Sequence, residues 1–153
     1  MKKLLLIILI VVLSFSFAGC SQKKAEFDTM TGKPEVVINN ISKSKIINRL
    51  NEEMLKREYT INEESENKIV YGKESDSILA SVMFGSDYDS TPEARITYNF
   101  VEYEEKDKVR VIATLEAITN PGSAHERKHD MTYSEDGKKY FEIMRDMKKD
   151  LEG

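Results

Sequence analysis

The two histidines of this chain lie four positions apart, in a segment that reads H-E-R-K-H from His125 to His129. On an α-helix, side chains at positions i and i+4 share a face, so both imidazoles could bind one Zn²⁺. Glu126 would then act as a base on the metal-bound water, and Glu142 is a candidate third ligand. The pattern therefore raises the hypothesis of a small zinc hydrolase that uses His125, Glu126 and His129.

This H-E-x-x-H pattern resembles the signature of the zincin metalloproteases, but its surroundings favour a loop. It follows the turn-forming residues 120–123 (Asn-Pro-Gly-Ser), and the charged Arg127 and Lys128 separate the two histidines. A helix buried around a metal would have to dehydrate these charges, at a cost on the order of several kcal/mol each unless they are paired. We therefore predict a solvated loop with no metal, no cofactor and no catalytic residue, and keep the zinc hydrolase as the alternative.

Two other groups of side chains could bind a ligand. Oxygen atoms of Asp87, Asp89 and Glu93 suit Ca²⁺, but the spacing and central glycine of an EF-hand loop are absent, so we predict an ordinary turn there. Tyrosines on predicted strands could line a binding surface, because tyrosine suits interfaces: Tyr71, Tyr98 and Tyr103. No serine has the G-x-S-x-G surroundings of a nucleophile, and no G-x-x-x-x-G-K phosphate loop is present.

The only cysteine, Cys20, ends an N-terminal stretch with the organisation of a secretory signal. Lys2 and Lys3 precede an unbroken apolar run of ten residues, Leu4 to Leu13, and small or weakly polar residues follow it. A stable transmembrane helix needs about 20 apolar residues, so a permanent membrane span is disfavoured.

The last four residues of this stretch, Phe-Ala-Gly-Cys at positions 17–20, resemble the lipobox of bacterial lipoproteins. The family more often has leucine or another aliphatic residue where this chain has Phe17. The resemblance implies that residues 1–19 are a signal peptide, that the Cys20 thiol receives a diacylglyceryl group, and that the new amino terminus is acylated too. Two or three acyl chains anchor a protein stably, so we expect the lipid on Cys20 to hold it to the cell membrane or outer membrane, on the extracytoplasmic side.

The charge of the remaining chain excludes some partners. Without residues 1–19, it has 21 basic and 27 acidic residues, a formal charge of −6 over 134 residues. Such a chain lacks the basic surface that binds a phosphate backbone, so we expect no nucleic-acid partner. Anionic lipid headgroups would repel it, and membrane attachment should therefore depend on the lipid alone.

The mature chain divides into a tether and one domain. Residues 20–33 comprise the lipidated cysteine and a polar segment without apolar periodicity, which predicts a flexible tether. Residues 34–153 are long enough for a single core. Strands are predicted at 35–39, 68–73, 77–84, 94–100 and 109–117, with extended structure also beginning at Thr60 and Ile61. The last two strands alternate apolar and polar residues around a charged hairpin tip at 104–108, and residues 120–122 end the second of them.

Two amphipathic helices accompany these strands. The first follows the polar residues 40–44 and has apolar side chains at helical spacing, Ile46, Ile47, Leu50 and Met54, with Leu55 and Tyr59 extending the pattern. The second begins at the cap Ser134 and has its own stripe: Tyr140, Met144, Met147 and Leu151.

These elements predict an α+β fold, an antiparallel sheet of about five strands with two helices on one face, in the order β-α-β4-α. The order is similar to that of the TATA-binding-protein-like and helix-grip folds, a likeness that implies no activity. We expect a lipid-anchored, non-catalytic domain that binds or supports another envelope component, with an envelope protein or a small ligand as its partner. A membrane-proximal exclusion or immunity factor is compatible with the same sequence.

Overall fold

The computed structural model describes residues 24–74, 91–103 and 107–153 of the chain. Those residues form six strands and two helices, in the order β1 (Glu35–Asn39), α1 (Lys43–Lys56), β2 (Thr60–Ser65), β3 (Lys68–Glu74), β4 (Glu93–Tyr103), β5 (Lys108–Thr119), β6 (Arg127–Asp130) and α2 (Glu135–Glu152). In the described part of the chain, no helix has the length and apolar character needed to span a bilayer.

The strands form one antiparallel sheet with β5 and β4 near its centre. The order is β1-β5-β4-β3-β2, and β6 also pairs with β5, on the same side as β1. The longest register joins β4 to β5, from Glu93 opposite Ile118 to Tyr103 opposite Lys108. The alternating pattern of the sequence predicted this hairpin, and the prediction is confirmed.

Every second residue of the sheet faces a core that both helices cover. The buried sheet residues on this face include Ile38, Ile69, Tyr71, Ile96, Tyr98, Phe100, Val111 and Ala113. The helices contribute Ile46, Leu50, Met54, Met144 and Met147. Burying each large apolar side chain contributes about 1.5–3 kcal/mol, so the two layers depend on each other for stability. The predicted α+β fold with two helices on one face of the sheet is confirmed.

The beginnings of both helices follow the predicted capping residues. Ser42 caps α1, where its hydroxyl accepts a hydrogen bond from the Lys45 amide at 3.4 Å. Ser134 caps α2 and accepts from the Gly137 amide at 3.3 Å. Each cap satisfies an amide that the helix itself leaves without a partner.

The second sheet face is more polar and carries a buried ion pair. Glu35 is only 7% exposed, and its Oε1 lies 3.3 Å from Arg110 Nε. The other carboxylate oxygen accepts from the Thr31 amide, and the guanidinium lies 5.2 Å from the ring centre of Tyr103. Within the described chain, Arg110 Nε makes no hydrogen bond, so the pairing with Glu35 is its main compensation for burial.

A threonine side chain fills the gap between β1 and β6. Both strands pair with β5, and neither reaches Leu115 with a strand amide or carbonyl of its own. There the Thr132 hydroxyl accepts from the Leu115 amide at 3.1 Å, and Met131 donates its own amide to the Leu115 carbonyl at 2.8 Å. The turn before α2 thereby completes the edge of the sheet.

The segment after β5 differs from its prediction. Residues 127–130 were expected to be a loop, and that prediction is wrong, because they pair with β5 as strand β6. The cause is tertiary: β1 covers only the first half of the exposed edge of β5, so the second half is free to pair with the returning chain. All four residues of this segment, R-K-H-D, are polar or charged, so it has no alternation of apolar and polar residues that would predict a strand.

Part of the segment predicted to be a flexible tether, residues 20–33, packs against the domain. Residues 24–33 were expected to be flexible, but Ala25 and Phe27 are 4% and 8% exposed. The Ala25 amide donates to the Tyr133 carbonyl at 2.7 Å, and Thr29 donates its hydroxyl to the Lys33 carbonyl. A single aromatic residue among polar neighbours has no periodicity, so its docking could not be predicted from the pattern.

Some predictions fall on residues outside the described part of the chain. These are the strand at 77–84, the hairpin-tip residues 104–106 and the features of residues 1–23.

Candidate functional site

The H-E-x-x-H segment does not form the helix on which the zinc hypothesis depends. His125 lies in the turn that follows β5, and His129 lies in β6 opposite Ala117. The helical spacing that would bring two imidazoles onto one face is therefore replaced by a turn leading into a strand. Within the described residues, no group of three or more histidine, cysteine or acidic side chains is arranged to hold a metal ion. The other candidate ligand, Glu142, pairs with Arg145 at 3.1 Å on the exposed side of α2.

Glu126 closes the turn after β5. Its Oε2 accepts a hydrogen bond from the Gly122 amide at 2.9 Å, and its Oε1 lies 4.0 Å from Arg95 and 3.9 Å from Lys128. The hydrogen bond from Gly122 and the two positive charges lower the pKa of the Glu126 carboxyl. A lowered pKa makes a carboxylate a weaker base, which is the opposite of what general-base catalysis needs.

Of the three acidic residues considered for Ca²⁺, Glu93 is the one that lies within the described chain. Glu93 accepts from Asn62 at 2.6 Å and forms a two-pronged pair with Arg95, whose Nη2 lies 2.9 Å from Oε2. These contacts explain Gly72 on the neighbouring strand, because a Cβ there would overlap Asn62 and Glu93. Asp87 and Asp89 lie outside the described residues.

The three tyrosines predicted to line a surface have different places. Tyr71 and Tyr98 are fully buried in the core, with ring centres 5.9 Å apart in an edge-to-face arrangement. The Tyr71 hydroxyl donates to Asn51, and the Tyr98 hydroxyl donates to the Met54 sulfur at 3.8 Å. Tyr103 is 36% exposed and borders a cleft of about 430 Å³ at the β4–β5 turn.

A second cleft, which we call the tyrosine cleft, lies where the end of α1 meets the start of α2. Its volume is about 600 Å³, within the range of small-molecule sites. It is lined by Lys56, Arg57, Glu58, Tyr59, Lys73, Glu74, Ala94, Leu115, Asp136, Lys139, Tyr140 and Ile143. Four of these side chains are cationic and three are anionic, so the cleft presents both signs of charge.

The way α1 ends places Tyr59 in this cleft. Glu58 adopts a left-handed conformation (φ 66°), which turns the chain sharply at the end of the helix. The Glu58 amide donates to the Leu55 carbonyl at 2.9 Å, and the Tyr59 amide donates to the Met54 carbonyl at 3.0 Å. This pair of bonds is the Schellman arrangement, with the non-glycine Glu58 in the position that usually favours glycine. It fixes the backbone of Tyr59, whose side chain is buried in the same core cluster as Met54.

The two tyrosine hydroxyls of the cleft share a hydrogen bond. The oxygens of Tyr59 and Tyr140 are 2.6 Å apart, and the rings meet edge to face at 6.2 Å. Burial and the bond to Tyr140 raise the pKa of Tyr59 well above its ordinary value. Since only one of the two protons lies between the oxygens, the other hydroxyl hydrogen can be donated to a ligand.

The charges of the cleft are mostly paired, but not all. Lys73 lies 2.9 Å from Glu58, and Lys139 lies 2.7 Å from Asp136. Exposed pairs of this kind contribute only about 0–1 kcal/mol, so a ligand can replace them at small cost. Neither Lys56 nor Glu74 has an ion-pair partner among the described residues, and Glu74 is the last of them before the gap at 75–90.

Sequence reasoning missed the tyrosine cleft because its parts come from five elements, α1, β3, β4, β5 and α2. Tyr140 was predicted as a core residue of α2, and Tyr59 as the end of the α1 pattern. Many charged residues of the cleft lie at the C-terminal end of α1 or in the first turns of α2. Charged residues are common at helix ends, so their presence there did not indicate a site. Their meeting is decided by the antiparallel packing of the helices, shown by the contact of Arg49 with Asp150 at one end and Tyr59 with Tyr140 at the other.

No protein-family model matches this chain, and no curated protein matches it. Cys20, the predicted lipidation site, lies outside the described residues.

Proposed function

We propose that the chain is a bacterial lipoprotein, held to the extracytoplasmic side of a membrane by lipid on Cys20. The observation that carries this proposal is the only cysteine of the sequence, placed directly after Ala18 and Gly19 at the end of a short apolar run. A thiolate is the nucleophile that this lipid transfer requires. With a formal charge of −6 over residues 20–153, the chain is acidic overall, so attraction to anionic headgroups would not replace the lipid as an anchor.

A Cys20→Ala variant of the full chain should lose its membrane association. We expect wild-type protein to sediment with membranes and to incorporate an alkynyl fatty acid, whereas the variant should incorporate none and leave the membrane fraction. Ser21→Ala, next to the lipidation site, is the matched control and should behave like the wild type. Unchanged partitioning of Cys20→Ala, or labelling that persists in it, would contradict the anchor.

The domain itself is proposed to be a non-catalytic binding module, with the tyrosine cleft as its binding site. Three features support binding rather than chemistry. The cleft offers hydroxyl donors and charges of both signs. Its buried phenol has a raised pKa and stays protonated, so it donates hydrogen bonds and does not act as a base. The carboxylate of the H-E-x-x-H segment is held by Gly122.

Lys56 and Glu74, which have no ion-pair partner among the described residues, suit a small ligand that carries both an anionic and a cationic group. Lys56 would receive the anion and Glu74 the cation, while the free hydroxyl of the Tyr59–Tyr140 pair donates a further hydrogen bond. Charge-assisted hydrogen bonds of this kind are stronger than neutral ones. A singly charged ligand would use only half of the site.

Thermal unfolding in the presence of three simple probes tests this binding site. O-phosphoethanolamine, which carries both charges, should raise the melting temperature by about 2–5 °C at saturation. Ethanolamine and glycerol 3-phosphate, with one charge each, should raise it less. Tyr140→Phe should reduce the shift caused by O-phosphoethanolamine relative to its own ligand-free value, and Tyr133→Phe, outside the lining of the cleft, should not. Equal shifts from all three probes, or none, would argue against the site.

A further inference from the structure

The beginning of the described chain is fixed to one end of the domain. Ala25 donates its amide to the Tyr133 carbonyl at 2.7 Å. Phe27 meets Phe141 edge to face, with ring centres 5.4 Å apart, and lies 6.2 Å from the ring of Tyr133. With Phe27 8% exposed, the contact is part of the packed structure, and it lies beside the N-terminus of α2.

This docking shortens the connection between the lipid and the domain. Five steps along the chain separate Cys20 from Ala25, and a fully extended chain covers about 3.6 Å per step, or about 18 Å in all. A tether that stayed free up to Pro34 would reach about 50 Å. Once Ala25 is docked, the distance of the α2 N-terminus from the lipid headgroups is limited by the connection of about 18 Å between Cys20 and Ala25.

The two ends of the domain therefore differ in how far from the membrane they can lie. Helix α2 has 18 residues, which corresponds to a length of about 27 Å. Its N-terminus lies at the attachment point, and its C-terminus, where Glu152 accepts a hydrogen bond from the Asn39 amide at 2.7 Å, lies at the far end. The tyrosine cleft is bordered by the first turns of α2 and the last turn of α1, together with residues of β3, β4 and β5, so it lies at the attached end.

We propose that the domain sits on the bilayer with the end that contains the α2 N-terminus and the tyrosine cleft facing the lipid headgroups. The interaction surface is this end of the domain, and its partner is the lipid surface to which Cys20 is anchored. The proposal rests on the lipid anchor proposed above and adds an orientation to it. A ligand of the cleft would then be taken from the membrane surface and not from the bulk solution.

Two single-cysteine variants on the same helix measure this orientation. Because lipid blocks the Cys20 thiol, Glu135→Cys and Lys149→Cys each add the only reactive thiol, at opposite ends of α2. Both positions are exposed and belong to matched surface ion pairs, with Lys138 and Asp146 respectively. Each lipidated protein is labelled with a fluorophore and reconstituted into phosphatidylcholine vesicles that contain a headgroup spin label as quencher.

We expect quenching at position 135 to be at least about twice that at position 149, because the two lie about 21 Å apart along the helix axis. Phe27→Ala should release the docked segment and bring the two values together. Asp28→Ala, the exposed neighbour, should leave the difference intact, and circular dichroism before reconstitution reports whether either variant retains the fold.

The outcomes separate the orientation from the anchor. Protein that floats with the vesicles but is quenched equally at both positions contradicts the orientation alone. Protein that fails to float contradicts the lipid anchor and the orientation with it. A difference that survives Phe27→Ala in a folded protein would show that docking of residues 24–27 is not its cause, and would overturn the proposal.

Discussion

Glu35→Gln should lower the free energy of unfolding of the domain by about 2–4 kcal/mol, because it leaves the Arg110 guanidinium buried without a counter-charge. The two side chains retain only 5% and 15% of their exposure, and the Arg110 Nε atom lies 3.3 Å from Glu35 Oε1. Removing one partner of a buried pair is costly since the remaining charge cannot regain water. The small exposure of Arg110 places the expected loss below that of a fully enclosed pair.

Chemical denaturation of the purified domain measures this loss. The dependence of the free energy of unfolding on denaturant concentration (the m-value) should be the same for variant and wild type, which shows that the unfolding transition itself is unchanged. Glu142→Gln is the matched control, because it removes the same charge from an exposed pair whose side chains are 59% and 51% exposed. That change should cost less than about 1 kcal/mol. A double variant, Glu35→Leu with Arg110→Met, should recover most of the stability. Equal losses from Glu35→Gln and Glu142→Gln would contradict the role of the pair.

Gly137→Ala should also destabilise the domain, by about 1–3 kcal/mol, although the same change raises the stability of most helices. A Cβ at this position would overlap the carbonyl oxygen of Thr132 and lie 2.8 Å from the carbonyl carbon. Both atoms belong to the backbone, so the clash cannot be relieved by turning a side chain. The turn would have to move, and with it the Thr132 hydroxyl that accepts from the Leu115 amide.

The sign of the change makes this prediction easy to check. Helix propensity alone predicts a gain of up to about 1 kcal/mol for glycine to alanine. Lys138→Ala, one position along and exposed, is the control and should change the stability by less than about 0.5 kcal/mol. Urea unfolding of both variants decides between the two expectations, and a stabilised Gly137→Ala protein would show that the turn accommodates the methyl group without strain.

Local patterns in the sequence were enough to predict most of the elements. Strand β1 was predicted at its observed bounds, and the β4–β5 hairpin followed from strict alternation of apolar and polar residues. The helix caps Ser42 and Ser134 lie within or at the predicted starts. These features depend on contacts within a few residues, or on one buried face, and the sequence records both directly.

The features that sequence reasoning missed depend on contacts between distant segments. Strand β6 has no apolar alternation and forms because one half of the β5 edge has no other partner. Phe27 docks on Phe141, more than a hundred positions away, which no local period could indicate. The zinc hypothesis also depended on the local conformation, because a spacing of four residues brings two side chains together only if the segment is a helix.

The sequence by itself determined the α+β class, the amphipathic helices and the hairpin, since their hydrophobic periods match the geometry of a helix or strand with one buried face. Its lone cysteine and short apolar leader also determined the hypothesis of a lipid anchor. Only the tertiary structure decided the hydrogen bond between Tyr59 and Tyr140, the ion pair of Glu35 with Arg110, and the end of the domain against which residues 24–27 pack. Those pairings join residues far apart in the chain, and their energy comes from burial and hydrogen bonding that exist only once the layers have packed.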